Sequence, residues 1–344
     1  MTNRENRILS SIKSSGKAKI DEIVSAAGGA SLATVKRDLV KLVADGMVTV
    51  HGRGKATRYA LTAAYRLLET IDIDSYFEKE IDERDVQESF NWALIRDILP
   101  QASLFTPTEK ERLKALQQVF ARHVSDLSET AYHKELERLA IDLSWKSSQI
   151  EGNTYSLLET ERLLKEKQTA AGKTKEEAIM LLNHKDAIDF IVGNSDFIRL
   201  LSASAIESIH SLLVKDLGVD RNIRTRRVGI SGTNYHPLDN EFQIKEALEQ
   251  MCALVNGNSD VFEKALIALL LISYIQPFMD GNKRTARIVG NALLMDGGCP
   301  PMSFRTVDSV DYKKAMLIFY EQNSAAPFKH IFMEQFEFAV DTYF

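Results

Sequence analysis

Apolar residues recur along positions 1–61 in three short helical faces. Ile8, Leu9 and Ile12 make the first, and Ile20, Ile23, Val24 and Ala27 make the second, closed by Gly28-Gly29. Leu32, Val35, Leu39 and Leu42 follow with 3-4-3 spacing behind Ser31, a good N-cap, and Asp45-Gly46 ends the run; the pattern predicts a third helix. "MVTV" and "TRYAL" then read as two strands around the tip "HGRGKA". From Ala63 to about Leu143 the chain is helix-rich, acidic and low in glycine, with breaks near Pro100 and Pro107. Within it "SYFEKEIDERDVQESFNWALI" reads as a linker helix and its packing partner. A later amphipathic helix runs through Leu136, Leu139, Leu143 and Ile150 and stops at Gly152-Asn153. Val261 to Ile275 is apolar nearly all round, as a helix at the centre of a bundle should be. From Lys283 another helix carries Ile288, Val289, Ala292 and Leu293 to Gly297-Gly298. The fold class expected is mainly α.

A chain of 344 residues has room for two or three domains. Its longest uninterrupted apolar run, Ala265 to Ile272, falls far short of the ~20 residues a membrane span needs, so no membrane partner is expected. The polar start "MTNRENRILSS" lacks the apolar core of a signal peptide. Cys252 and Cys299 stand far apart in no metal-like pattern, and a reducing cytoplasm is the compartment expected. The net charge of −5 is unevenly spread: residues 1–61 carry 11 Lys and Arg against 5 Asp and Glu, a balance of +6, and the remainder stands at −11. A basic head on an acidic body suggests that the head alone meets a polyanion.

Three helices followed by a basic hairpin resemble the winged helix-turn-helix of bacterial transcription regulators. That resemblance implies DNA as a partner, with Lys36, Arg37 and Lys41 of the third helix in the major groove and Arg53, Lys55 and Arg58 of the wing on the backbone or minor groove. The alternative is a protein-docking module whose charges are a solvated face.

The segment "YIQPFMDGNKRTAR", residues 274–287, joins the two bundle helices. It delivers its backbone to a helix N-terminus, where unpaired N–H groups and the helix dipole favour an anion. Gly281 allows close approach, Arg284 and Arg287 lie one turn apart, and Asp280 is a hard oxygen ligand suited to Mg²⁺ beside phosphates. Phe278 is expected to plug into the core. An interhelix turn with a solvated basic cluster is the plainer alternative. Glu151, in the last turn before Gly152, sits badly against a negative helix end; it calls for either a cationic partner or full solvation. "AAGKT" at 170–174 is not a P-loop, because Lys167 stands where that motif needs glycine.

Residues 274–287 resemble the signature of the Fic family, H-x-F-x-[D/E]-G-N-[G/K]-R-x-x-R, through Phe278, Asp280, Gly281, Asn282, Arg284 and Arg287. "SSQIEGN" is similar to that family's inhibitory helix motif, with Ser147 and Glu151 in place, and "RTRRVGISGTNYHP" is similar to its hairpin flap. The resemblance spans roughly Ser75 to the C-terminus. It implies a helical Fic-like bundle with a short β-hairpin flap, transferring AMP from ATP to a hydroxyl of a target protein. By the same resemblance Asp280 holds Mg²⁺, and Gly281, Asn282 and Lys283 bind phosphate with Arg284 and Arg287. Residues Gly229, Ile230, Ser231, Gly232 and Thr233 of the flap align the target. Glu151 pairs with the second arginine and keeps ATP from binding productively. Members with this inhibitory helix often dimerise.

Two positions depart from the family pattern. Gln276 occupies the place of the histidine general base, and losing such help typically forfeits about 10²–10⁴ in rate. Lys283 replaces the commoner glycine, as in the phosphotransferase relative Doc, which leaves AMP and phosphate transfer both open. His236 and Glu151 are the candidate stand-in bases; His184, His210 and His330 read as structural. The expected organisation is a winged helix over 1–62, a helical linker and packing region over 63–125 and a Fic-like domain over 126–344. Within the last lie an inhibitory helix at 136–153, a flap at 224–237 and the Fic-like loop at 276–287. The alternative to a transferase is a DNA-binding regulator whose Fic-like domain senses nucleotide.

Overall fold

The computed structural model describes residues 2–344. The head forms α1 (Asn3–Ser15), α2 (Ile20–Ala26), α3 (Leu32–Ala44), β1 (Val48–His51) and β2 (Arg58–Leu61). Ser31 caps α3 as expected, its Oγ accepting from Thr34 N–H at 3.2 Å. The strands pair antiparallel from Val48 opposite Leu61 to His51 opposite Arg58, leaving 52–57 as the tip. Ile8, Leu9, Ile12, Ile23, Val35, Leu39 and Leu42 close a small core of their own.

Two short helices, α4 (Ala63–Leu68) and α5 (Ile73–Phe77), lead out of the head. Tyr65 of α4 packs on the small core while Leu67, two residues on, is buried in the large one. Ala325 N–H donates to Leu67 O at 2.7 Å, and Ser324 Oγ donates to Glu69 O at 2.8 Å. The stretch read as a linker helix and its packing partner is helical only at its two ends: after Phe77 come a turn at Ile81–Glu83 and extended chain, and helix resumes at Trp92. Its backbone is taken up elsewhere, Gln87 N–H on Glu321 O at 2.9 Å and Glu88 O under His236 N–H at 2.7 Å. Long-range bonds override local helix propensity here.

The large body contains α6 (Pro107–Asp126), α7 (Glu129–Ile150), α8 (Leu157–Glu166), α9 (Lys175–Gly193), α10 (Ala203–Leu213), α11 (Glu241–Gly257), α12 (Val261–Ile275), α13 (Asn282–Asp296), α14 (Ser309–Gln322) and α15 (Ala326–Tyr343). Every residue of α12 except Val261 and Lys264 is buried, which is what its all-round apolar pattern demanded. It runs closely against α13, because Gly290 offers no side chain at their contact: a Cβ there would stand 2.8 Å from Leu269 Cγ. Leu67, Phe90, Leu113 and Phe120 share this core with α12 and α13. The flap expected as a β-hairpin is an irregular loop: among the described residues 224–237 contains no strand. Its outward residues have no partner strand, and His236 makes instead a parallel bridge with Ser89.

Gly290→Val should force Leu269 aside and separate α12 from α13, lowering stability by about 1–3 kcal/mol. A thermal melt equal to that of the parent protein would show that the helix pair does not depend on this contact.

Candidate functional site

The chain leaves α12 through Gln276, which caps it in the left-handed region at φ 52°. The Gln276 amide then turns back into the loop. Its Nε2 donates to Ser273 O at 2.6 Å, and its Oε1 accepts from Asn282 Nδ2 at 2.9 Å. Asn282 closes the other side, accepting from Phe278 N–H at 2.9 Å and donating to Phe278 O at 2.8 Å. Phe278 is fully buried and lies flat on His210, ring centroids 3.6 Å apart. His210 Nε2 is 3.0 Å from Asp280 O and its Nδ1 is 3.2 Å from Arg221 O. Burial lowers the His210 pKa against the pull of those two carbonyls, so the neutral ring serves one of them at a time. Gly281, at φ 82°, passes so close that a Cβ would meet Val214 and His210 at 3.3–3.4 Å. Thr285 is the first residue of α13 whose N–H returns to a loop carbonyl, Gly281 O at 2.8 Å, and no side chain caps the helix. The preceding N–H groups open into the cleft.

Five charged groups surround that helix end. Arg287 is fully buried, with Nε on Ser147 Oγ at 2.7 Å and Nη2 on Ser147 O at 3.0 Å and Glu151 Oε1 at 2.8 Å. Lys283 Nζ reaches Glu151 Oε2 at 3.5 Å. Burial pushes the Glu151 carboxyl up, yet Arg287 and Lys283 outweigh it and hold the group below the usual carboxylate range. Arg284 Nη2 donates to Asp280 Oδ2 at 2.9 Å, while Asp280 Oδ1 accepts from Gly281 N–H at 2.6 Å. Arg284 Nε and Nη1 and Arg287 Nη1 are buried without any partner. His184 of α9 is buried beside both arginines, with neither ring nitrogen bonded, and burial holds its pKa well below the usual value, leaving it neutral.

A cavity of about 380 Å³ opens over the loop. Glu151, Gln276, Asp280, Gly281, Asn282 and Lys283 face it, together with flap residues Gly229, Ile230 and Ser231. Of the other flap candidates, Thr233 Oγ1 accepts from Tyr235 N–H and Gly232 O accepts from Arg84; neither lines the cavity. His236 is exposed on the outer side of the flap and does not line the cavity, so it is not placed as a stand-in base. Sequence reasoning missed the wall from α14, Lys313, Met316, Leu317 and Tyr320, which carries no motif. It also missed the brace at Arg224, and it read His210 as structural without placing it at the loop. Arg224, fully buried, donates through Nε to Gln276 O at 2.7 Å and through Nη1 to Arg226 O at 2.8 Å, and His210 supports the loop as described above. Arginine within the flap motif was the available signal for the first. Among the described residues no three His, Cys, Asp or Glu side chains converge on a metal position.

In the head, Lys36, Arg37, Arg53 and Lys55 are exposed on the third helix and the wing tip. Lys41 is otherwise engaged: its Nζ lies 2.7 Å from Glu5, whose pKa that bond lowers. Arg58 is half-buried and donates to Thr57 O at 3.0 Å. Lys41 remains exposed while it bonds Glu5, its side chain 60% accessible. No described helix is long and apolar enough to cross a membrane.

A family model described as the Fic/DOC family matches residues 200–294, and one described as a DeoR-like helix-turn-helix domain matches residues 4–58. A protein adenylyltransferase Fic of Nematostella vectensis is 31% identical over 176 residues, which is 49% of this chain and 40% of that protein. The protein adenylyltransferase fic-1 of Caenorhabditis elegans is 27% identical over 179 residues, 47% of this chain and 33% of that protein. The chain thus spans well under half the length of these curated relatives. A solved structure of Fic-1 from C. elegans, residues 134–508, superposes with a TM-score of 0.59 at 23% identity, covering 69% of this chain and 72% of that one. A Fic family protein from Desulfovibrio desulfuricans gives 0.57 at 18% identity, covering 69% and 74%. At those identities the solved structures bear on the fold, while the two domain matches and the curated relatives bear on ancestry. The chain carries a domain of the Fic/DOC family behind an N-terminal DeoR-like helix-turn-helix domain.

Proposed function

We propose that the cleft binds ATP, that Glu151 restrains this binding, and that Gln276 leaves AMP transfer without its proton acceptor. The observation that carries this reading is the buried pair Arg284 and Arg287 at the open N-terminus of α13, with three of its N–H-bearing nitrogens unpartnered. Buried donors of that kind are rare unless a ligand completes them. The relatives named protein adenylyltransferases support ATP as the substrate and a protein hydroxyl as the acceptor.

In this reading the α13 N–H groups and Arg284 take the terminal phosphates. Arg287 joins them only after its bond to Glu151 Oε1 gives way. Lys283, the family departure, adds a second cation to the same carboxylate, so the restraint has two contacts of unequal length. Asp280 fits a Mg²⁺ ion as a single exposed carboxylate beside phosphate oxygens, once it leaves Arg284. When bound, that ion supplies charge neutralisation between the phosphates. Transfer requires a target hydroxyl to lose its proton as its oxygen attacks the α-phosphorus and pyrophosphate leaves. The Gln276 amide cannot accept that proton, and both its ends are already spent on Ser273 O and Asn282. Transfer is therefore slowed by about 10²–10⁴ relative to a histidine at this position. A second reading, a DNA-bound nucleotide sensor, is favoured by the exposed cations on both α3 and the wing tip together with this engaged amide.

Glu151→Gly should bind ATP·Mg²⁺ at least about tenfold more tightly than the parent in calorimetric titration, because no anion need be displaced from Arg287. Without ligand the variant should melt lower, since Arg287 loses its counter-charge, and ATP should restore it. If neither form binds nucleotide, the reading fails. In the same background Gln276→His should raise the rate of AMP adduct formation on protein, followed by intact mass, by about 10² or more; an unchanged rate would place the defect elsewhere than the base. For the head, charge reversal at Lys36 and Arg37 should weaken gel retardation of duplex DNA and flatten its salt dependence by roughly 0.9 per lost phosphate contact. Failure of the parent to retard any duplex at low salt would remove DNA from the account.

A further inference from the structure

The flap has little backbone support of its own. Among the described residues no backbone hydrogen bond joins 225–235 to any other segment; the nearest are Arg224 N–H on Pro277 O and His236 N–H on Glu88 O. Side chains must therefore set its position, and the extended stretch after α5 supplies them from outside. Asn234 Nδ2 donates to Asp82 Oδ1 at 2.9 Å, and Arg84 Nη2 donates to Gly232 O at 2.9 Å. Arg84 also reaches inward, pairing with Glu321 of α14 at 3.1 Å. The Arg84 and Glu321 side chains are only 5% and 0% exposed, so the pair is held in a low-dielectric setting. Tyr76 OH donates to Glu321 Oε2 at 2.5 Å, and Phe77 lies under the guanidinium at 5.2 Å.

The two ends of this bridge are each one residue from the cavity wall. Gly232 follows Ser231 and Glu321 follows Tyr320, and both Ser231 and Tyr320 line the cleft. Gly232 also lies against α14, its position leaving 3.4 Å between a Cβ and Leu317. We propose that Arg84 is a positioning residue for the flap: its planar guanidinium ties the flap to α14 and so sets the width of the cleft. A planar fork spreads its donors over separate nitrogens in fixed directions and so spans partners on two sides, whereas an ammonium gathers its three donors on one atom at the end of a flexible stem. The bridge comes from the segment between the head and the Fic domain match, outside every motif that describes the site. The proposal rests on reading this cleft as the functional site, but its first measurement does not require nucleotide.

Spin labels on Ser231→Cys and Val310→Cys would report the distance between flap and α14 in the full chain; both native cysteines are buried. Both labelled positions are exposed, and neither belongs to the Arg84 contacts. The parent should give one narrow distance distribution by pulsed electron resonance, Arg84→Ala a broad one, and Arg84→Lys an intermediate width. In the Glu151→Gly background, Arg84→Ala should weaken ATP binding by about tenfold and Arg84→Lys by less. A distribution unchanged by Arg84→Ala would overturn the proposal. So would broadening that Arg84→Lys reproduces in full, since the fork geometry would then not matter. Should Arg84→Ala fail to fold because Glu321 is left buried and unpaired, the double variant Arg84→Gln, Glu321→Gln removes both charges and carries the same expectation. If Glu151→Gly binds no nucleotide while the distances still respond, the nucleotide reading falls and Arg84 keeps its role.

Discussion

The site depends on the close passage of α12 against α13. Two helices of which nearly every residue is buried can meet at this separation only because Gly290 yields its place to Leu269. That contact fixes where α12 ends and α13 begins, and so fixes the span that residues 276–281 have to bridge. Everything else at the loop serves to close this span. Gln276 and Gly281 take the two left-handed turns, Asn282 stitches both ends together, and Phe278 is driven between α10 and the core. The anion-attracting end of α13 is thus a consequence of packing before it is a chemical device.

Placing arginines inside that packing creates an electrostatic problem. Arg287 is wholly buried, and its one anionic contact is Glu151 at 2.8 Å. The desolvation of such a charge is offset only when its donors are met, and Arg287 Nη1, with Nε and Nη1 of Arg284, has no partner. Glu151 supplies the negative charge that Arg287 meets, and it does so from the end of α7, the worst place for a carboxylate by helix dipole alone. The sequence posed that misfit as a choice between a cationic partner and solvent; Arg287 and Lys283 are the partners. An interaction that is poor for its own helix and good for a buried cation is one an incoming phosphate can exchange for.

The parts of the site that were legible are those written within a few consecutive residues. Residues 276–287 put a turn, a carboxylate, a close-approach glycine and two arginines on one short segment, so local spacing alone brings them together. Ser147 and Glu151 were legible because one helical turn separates them. The third helix of the head was legible from its 3-4-3 stripe and its Ser31 cap. The bond from Lys41 to Glu5 was not legible, because the two residues lie on different helices and share no local spacing. The extended segment after α5 was misread for the same reason on a larger scale: its composition suits a helix, while its backbone bonds go to residues 236 and 321. His210 and Arg224 brace the loop through carbonyl groups, and carbonyl acceptors have no sequence of their own to recognise.

Gln276 is where the two levels of description meet. A substitution that removed the loop's base and did nothing else would leave a dangling polar group beside a phosphate site. Here the amide instead bonds at both ends, to the last turn of α12 and to Asn282. An amide suits that task because it holds a donor and an acceptor together at every pH, which a neutral imidazole does only in the right tautomer. The loop therefore keeps its geometry through a side chain that cannot take up a proton near neutral pH. On the reading proposed above, a scaffold reinforced at this position favours holding an anion over turning it over.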